Sequence, residues 1–104
     1  MKIALVQMDV AHGQPVENKK HVIEMLERAL DDNPDVIVLP EMWNTGYALN
    51  ELDGLADKDG LDSQELLSHF ARKHAVAIIG GSVAIEKDGK FYNTTYVWGP
   101  NQYL

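Results

Sequence analysis

An acid directly behind a run of aliphatics is the residue best placed for chemistry in this chain: Glu41 follows Asp35-Val36-Ile37-Val38-Leu39-Pro40. Four consecutive, mostly β-branched aliphatics read as a central strand of an α/β sheet, covered on both faces. Ligands of such sheets bind beyond the carboxyl ends of the strands. A carboxylate buried there would have its charged form disfavoured and its pKa raised, which suits a general base working near neutral pH. The alternative is a solvated carboxylate that opens a loop. Trp43 and Tyr47 either line a small-molecule pocket beside Glu41 or pack the loop onto the sheet. Position alone leaves both choices open.

Other reactive side chains have poorer settings. Lys58 lies between Asp57 and Asp59 in a loop, the surroundings of a solvated ammonium. Ser63, Ser68 and Ser82 are hydroxyls without the pattern of a strained nucleophile elbow. Of His12, His21, His69 and His74, the last two are five residues apart, which turns a helix by about 140° and points them apart. No metal site is expected, and no cofactor. Gly80-Gly81 leads into a strand, whereas a phosphate loop opens a helix, so the pair reads as a bend. Zero cysteines exclude disulfides, thiolate metal sites and any thiol chemistry carried by this chain alone.

The elements that must position Glu41 follow from hydrophobic spacing. Lys2 to Met8 is an apolar run that suits a strand covered on both faces. Pro15 fits the first turn of a helix, and Val16, Val22, Ile23, Leu26, Ala29 and Leu30 form one stripe along it to about Asp31. Asn33-Pro34 ends that helix. Residues 42–60 read as a loop with a short helical turn near Asn50. Asp62 or Ser63 caps a second helix, with Glu65 in its first turn and Leu66, Leu67, Phe70, Ala71 and His74 inward. Ala75 to Ile79 is a strand. Ser82 to Glu86 and Phe91 to Trp98 flank Lys87-Asp88-Gly89-Lys90, where Asp-Gly signals a type I′ hairpin. Tyr92, Tyr96 and Trp98 read as sheet-face packing. Gly99 to Gln102 reads as a turn and Tyr103-Leu104 as the start of another strand. The order is β-α-β-α-β-β, in one domain without repeats or linkers.

Composition narrows the partners. The chain has 104 residues, 45% hydrophobic and 24% charged, the balance of a soluble globular protein. A formal net charge of −7 opposes phosphate backbones and anionic membrane surfaces, so neither nucleic acid nor membrane is expected as a partner. No apolar run approaches the roughly 20 residues of a membrane span. The opening residues read as a strand and not a signal peptide, which implies a cytoplasmic protein.

Leu39-Pro40-Glu41-Met42-Trp43-Asn44-Thr45-Gly46-Tyr47 resembles the first signature of the nitrilase, or carbon–nitrogen hydrolase, superfamily. Other parts fit in order: Ile3-Ala4-Leu5-Val6-Gln7 is similar to its first strand, Asn18 to an asparagine early in its first helix, and Ile79-Gly80-Gly81-Ser82 with Tyr92-Asn93-Thr94 to its third strand and the hairpin beyond. The resemblance implies a four-layer α-β-β-α sandwich and a Glu-Lys-Cys triad. Glu41 would match the glutamate, Trp43 and Tyr47 would lie at the substrate, and Asn93 would support the site by satisfying backbone groups. It also implies that residues 1–104 are an incomplete domain, stopping before the lysine and cysteine of the triad.

The expected function is therefore the N-terminal part of an amidase cleaving a non-peptide C–N bond of a small amide, inactive by itself. About half of such a core would be missing, leaving a sheet face through which the chain should self-associate. The motif's Glu-Met-Trp-Asn-Thr-Gly-Tyr form is similar to bacterial enzymes acting on ω-amides of short dicarboxylic acids. The alternative is a non-catalytic α/β module that uses the same fold for assembly or ligand binding. A flavodoxin-like nucleotide binder is a third class, which lacks its phosphate loop here.

Overall fold

The computed structural model describes residues 1–101. The expected turn at residues 99–102 and the strand at 103–104 lie wholly or partly outside the described residues. Seven strands and two helices run in the order β1 (Ile3–Leu5), α1 (Pro15–Ala29), β2 (Val36–Val38), β3 (Asp57–Lys58), α2 (Leu61–His74), β4 (Ala77–Ile79), β5 (Val83–Lys87), β6 (Lys90–Thr94) and β7 (Val97–Trp98). The five strand runs and two helices expected are present in order, the hairpin supplying two of the strands, and two short strands, β3 and β7, are additional.

One sheet runs β1-β2-β4-β7, with β1, β2 and β4 parallel and β7 antiparallel. The other runs β3-β5-β6, with β3 parallel and β6 antiparallel to β5. The run expected as one strand from Phe91 to Trp98 therefore divides. Its first part pairs with β5, its last part with β4, and Thr95-Tyr96 carries the chain between sheets.

Register explains which side of the first sheet is covered. Ala4, Ile37, Ile78 and Trp98 align across the strands and face a core containing Val22 and Leu26 of α1 and Leu67, Phe70 and Ala71 of α2. Successive side chains alternate faces, so Ile3 and Leu5, Val36 and Val38, Ala77 and Ile79, and Val97 form the opposite face. Leu5 is 73% exposed, Val97 61%, Ile3 55% and Ile79 40%. Neither β1 nor β2 is covered on both faces, contrary to the sequence reading. The reason is topological: two right-handed crossovers that add strands in the same direction put both helices on one face. An aliphatic run records that a face is apolar, not that this chain covers it.

Local chemistry sets the ends of the elements. Pro15 opens α1 as expected, and a short 3-10 turn, Leu30–Asp32, extends it to left-handed Asn33. Val16 is 68% exposed and so lies off the buried stripe. The cap of α2 is neither Asp62 nor Ser63. The Asp57 carboxylate accepts from Asp62 N–H at 3.2 Å and Ser63 N–H at 2.7 Å, so β3 supplies the anion at the helix start. At the other end the His74 ring packs at a tilt against Phe70, with ring centroids 4.4 Å apart. The β5–β6 hairpin turns at Asp88 (φ 54°) and Gly89 (φ 77°), the two positive φ values of a type I′ turn. Tyr96 and Trp98 pack against the core, whereas Tyr92 is exposed.

Candidate active site

Glu41 stands beyond the carboxyl end of β2, the strand between β1 and β4. The chain turns sharply there. Met42 has φ 51°, a left-handed conformation that disfavours a residue with a β-carbon by roughly 1–2 kcal/mol. Such a backbone persists only where the surroundings over-determine it, and here they do. Leu39 N–H donates to Ile79 O at 3.0 Å, Met42 N–H to Ser82 Oγ at 2.9 Å, Trp43 N–H to Ser82 O at 3.1 Å, and Gly46 N–H to Met42 O at 2.8 Å.

Gly80-Gly81 makes this approach possible. A β-carbon on Gly81 (φ 60°) would run into the carbonyl oxygens of Pro40 and Leu39, the latter at 2.6 Å. One on Gly80 would meet Leu67 Cδ1 at 2.6 Å and Tyr96 O at 2.7 Å. The glycines form the expected bend between strands, and they also let the strand ends pack closely.

Asn44 and Asn18 tie the loop behind Glu41 into the fold. Asn44 Oδ1 accepts from Ala84 N–H and Asn44 Nδ2 donates to Ala84 O, both at 2.9 Å, so a side chain pairs with β5 as a strand would. Asn18 Oδ1 accepts from Ala11 N–H at 2.7 Å, while Asn18 Nδ2 donates to Ala11 O at 2.8 Å and to Asn44 O at 2.9 Å. Both asparagines are buried. Buried amides satisfied at every reachable partner specify one loop geometry.

The Glu41 side chain itself is exposed, the solvated one of the two settings that position left open. Its Oε1 accepts a hydrogen bond from the Tyr47 hydroxyl, and its Oε2 has no hydrogen-bond partner among the described residues. The Tyr47 phenol is pushed above its ordinary value, first by donating to Glu41, then by desolvation and by the carboxylate's charge. Tyr47 is exposed and adjoins a shallow cleft lined by His12, Ala48, Leu49, Asn50 and Glu51.

Trp43 takes the packing alternative. It is 2% exposed and its indole N–H donates to Gly80 O at 2.9 Å, so it has no surface to offer a ligand. Asn93 is exposed on β6 opposite Ala84, and its side chain makes no hydrogen bond among the described residues. The backbone-satisfying role expected of Asn93 is performed by Asn44. Single-residue reading had little means to single out Asn44, because its partner lies forty residues away in sequence.

Of the remaining candidates, Ser82 bonds to the turn that carries Glu41. Lys58 is exposed on β3, and the Ser68 hydroxyl donates to Glu65 O within α2. A cleft of about 590 Å³ is lined by Lys19, Asp62, Glu65, Leu66, His69 and Arg72, with Lys19 Nζ 2.7 Å from Asp62 Oδ1. It does not include Glu41. Among the described residues no helix is long and apolar enough to cross a membrane.

The family model for carbon–nitrogen hydrolase matches residues 2–104. The chain is 45% identical to the 2-oxoglutaramate amidase of Bacillus subtilis (strain 168) over 95 residues, which are 91% of this chain and 36% of that protein. It is 34% identical to an omega-amidase of Xenopus laevis over 100 residues, 96% of this chain and 36% of that protein. A Saccharomyces cerevisiae member of branch 10 of the nitrilase superfamily superposes with a TM-score of 0.85 at 25% identity, covering 100% of this chain and 41% of that one. The two sheets and their helices are thus part of the α-β-β-α sandwich. The chain spans little more than a third of the length of the curated relatives it matches.

Proposed function

Since the chain belongs to the carbon–nitrogen hydrolase family, we propose that Glu41 is the general base of an amidase site whose lysine and cysteine lie outside these 104 residues. One observation carries the reading: an acid beyond the end of a central parallel strand, on a braced left-handed turn, with one oxygen bonded and the other free. Glu41 takes the thiol proton as sulfur adds to the amide carbon, and the lysine holds the oxyanion. Collapse breaks the C–N bond, and the proton leaves with nitrogen as ammonia. Water, deprotonated by Glu41, then attacks the thioester; the S–C bond breaks to release the carboxylic acid, and Glu41 returns the proton to the leaving thiolate.

The substrate class we favour is the ω-amide of a short dicarboxylic acid. The names of the two curated relatives support it, as does the form of the motif around Glu41. Tyr47, exposed beside Glu41, is the side chain we place at the substrate. The test is ammonia release from such amides by the protein as its gene encodes it. Glu41→Gln should lower kcat/KM by about 10²–10⁴-fold, the usual worth of general base catalysis. Residues 1–104 alone should release none. Unchanged turnover in Glu41→Gln would refute the assignment.

A second reading, a non-catalytic module for assembly or ligand binding, fits the absence of cysteine equally well. A gene-encoded protein that hydrolyses no small amide would select it. We also propose that residues 1–104, in isolation, self-associate through the bare aliphatic face of the β1-β2-β4-β7 sheet, since a contiguous apolar patch of this kind seeks a cover.

A further inference from the structure

Ser82 grips the turn that presents Glu41 from both sides. Its N–H donates to Pro40 O at 3.2 Å, just before the acid. Its Oγ accepts from Met42 N–H at 2.9 Å and its carbonyl from Trp43 N–H at 3.1 Å, just after it. Two of these bonds are made by backbone and any residue could supply them. The hydroxyl bond is specific to the side chain. It falls on the peptide of Met42, the residue held at φ 51°. Ser82 is buried, so water cannot readily replace its Oγ as the acceptor. Without that acceptor the Met42 N–H is orphaned in the interior, and the left-handed turn loses the one side-chain bond that fixes its amide. The direction in which Cα–Cβ of Glu41 leaves the chain depends on that turn.

We propose that Ser82 is a positioning residue for Glu41: its hydroxyl, bonded to Met42 N–H, holds the turn so that one carboxylate oxygen meets the Tyr47 hydroxyl and the other stays free to accept a proton. The inference deepens the reading of Glu41 as general base and rests on it for its catalytic meaning. Its geometry is tested without turnover, so the two fail separately. Loss of the base reading would appear as retained hydrolysis in Glu41→Gln.

The Tyr47–Glu41 contact supplies the reporter. In the gene-encoded protein labelled with ¹³Cζ-tyrosine, and with Tyr47 assigned through Tyr47→Phe, the Tyr47 resonance should titrate above the ordinary phenol value of about 10. Glu41→Gln should bring it down towards that value. Ser82→Ala should move it at least halfway to the Glu41→Gln position while Tyr92 and Tyr96 keep theirs, and Ser82→Thr, which retains the hydroxyl, should restore it. A Tyr47 midpoint unchanged in Ser82→Ala overturns the proposal, as does an ordinary Tyr47 midpoint in the unaltered protein. Should Ser82→Ala fail to fold, amide exchange at Met42 in the unaltered protein decides. Slowing by at least about tenfold relative to an unstructured amide is expected, and unprotected exchange overturns the proposal.

Discussion

Removing the side chain of Asn44 should be among the costliest polar truncations near Glu41. In Asn44→Ala two hydrogen bonds of 2.9 Å vanish together, and the N–H and C=O of Ala84, a residue with no exposure, lose their partners. Leaving a buried backbone group unsatisfied costs about 1–3 kcal/mol, so the pair amounts to roughly 2–6 kcal/mol. At about 4–8 °C per kcal/mol for a chain of this size, Tm should fall by at least about 8 °C. Urea unfolding followed by tryptophan fluorescence measures the loss, because Trp43 is buried beside the loop. The midpoint should drop with the slope unchanged. A loss under about 0.5 kcal/mol, the range of an inert surface change, would refute the argument. Asn44→Asp adds a signature that packing alone cannot mimic. Its carboxylate can still accept from Ala84 N–H, but it opposes Ala84 C=O, and only the protonated acid can donate there. The folded-state pKa must then lie above the unfolded value of about 3.9. Stability is gained on acidification and lost as pH rises through the folded pKa.

Three other outcomes can be checked in the same way. Gly81→Ala should destabilise by about 2–5 kcal/mol in urea unfolding, combining a left-handed φ with a β-carbon driven against the carbonyls of Leu39 and Pro40; a neutral effect would mean that the loop can retreat from the strand end. The Tyr96 phenol is pushed up by burial and then by the charges of Asp57 and Asp59, partly opposed by its hydrogen bond with Gln64. Because its folded value exceeds the unfolded value of about 10, its contribution is complete below that pH and is lost as pH rises through the folded value. Tyr96→Phe should therefore flatten the alkaline decline of Tm, and an identical decline in the variant would count against this. Leu5→Lys, on the bare sheet face, should reduce self-association of residues 1–104 in sedimentation velocity while changing stability by less than about 0.5 kcal/mol; unaltered association would place the contact elsewhere.

Where local chemistry decides the outcome, the chain could be read directly. Pro15 at the head of α1, the Asp88-Gly89 turn, the bend at Gly80-Gly81 and the placing of Glu41 beyond a strand each depend on a few adjacent residues. These features are set by which φ values a residue tolerates and by hydrophobic period, and both are local quantities. The motif around Glu41 is local too, which is why the family could be recognised from it.

Tertiary structure decided what depends on distant partners. Glu41 is exposed in the turn beyond its strand, a choice that position in the sequence left open. Trp43 became a core residue because the Gly80 carbonyl lies where its indole N–H can reach. Asn44 took the role expected of Asn93, since only Asn44 meets both backbone groups of Ala84. Asp57 displaced Asp62 and Ser63 as the cap of α2 because pairing of β3 with β5 delivers its carboxylate to the helix start. Sequence specified which groups need partners. The fold chose the partners, because a buried donor or acceptor is satisfied by whatever packing brings within about 3 Å of it, at any separation along the chain.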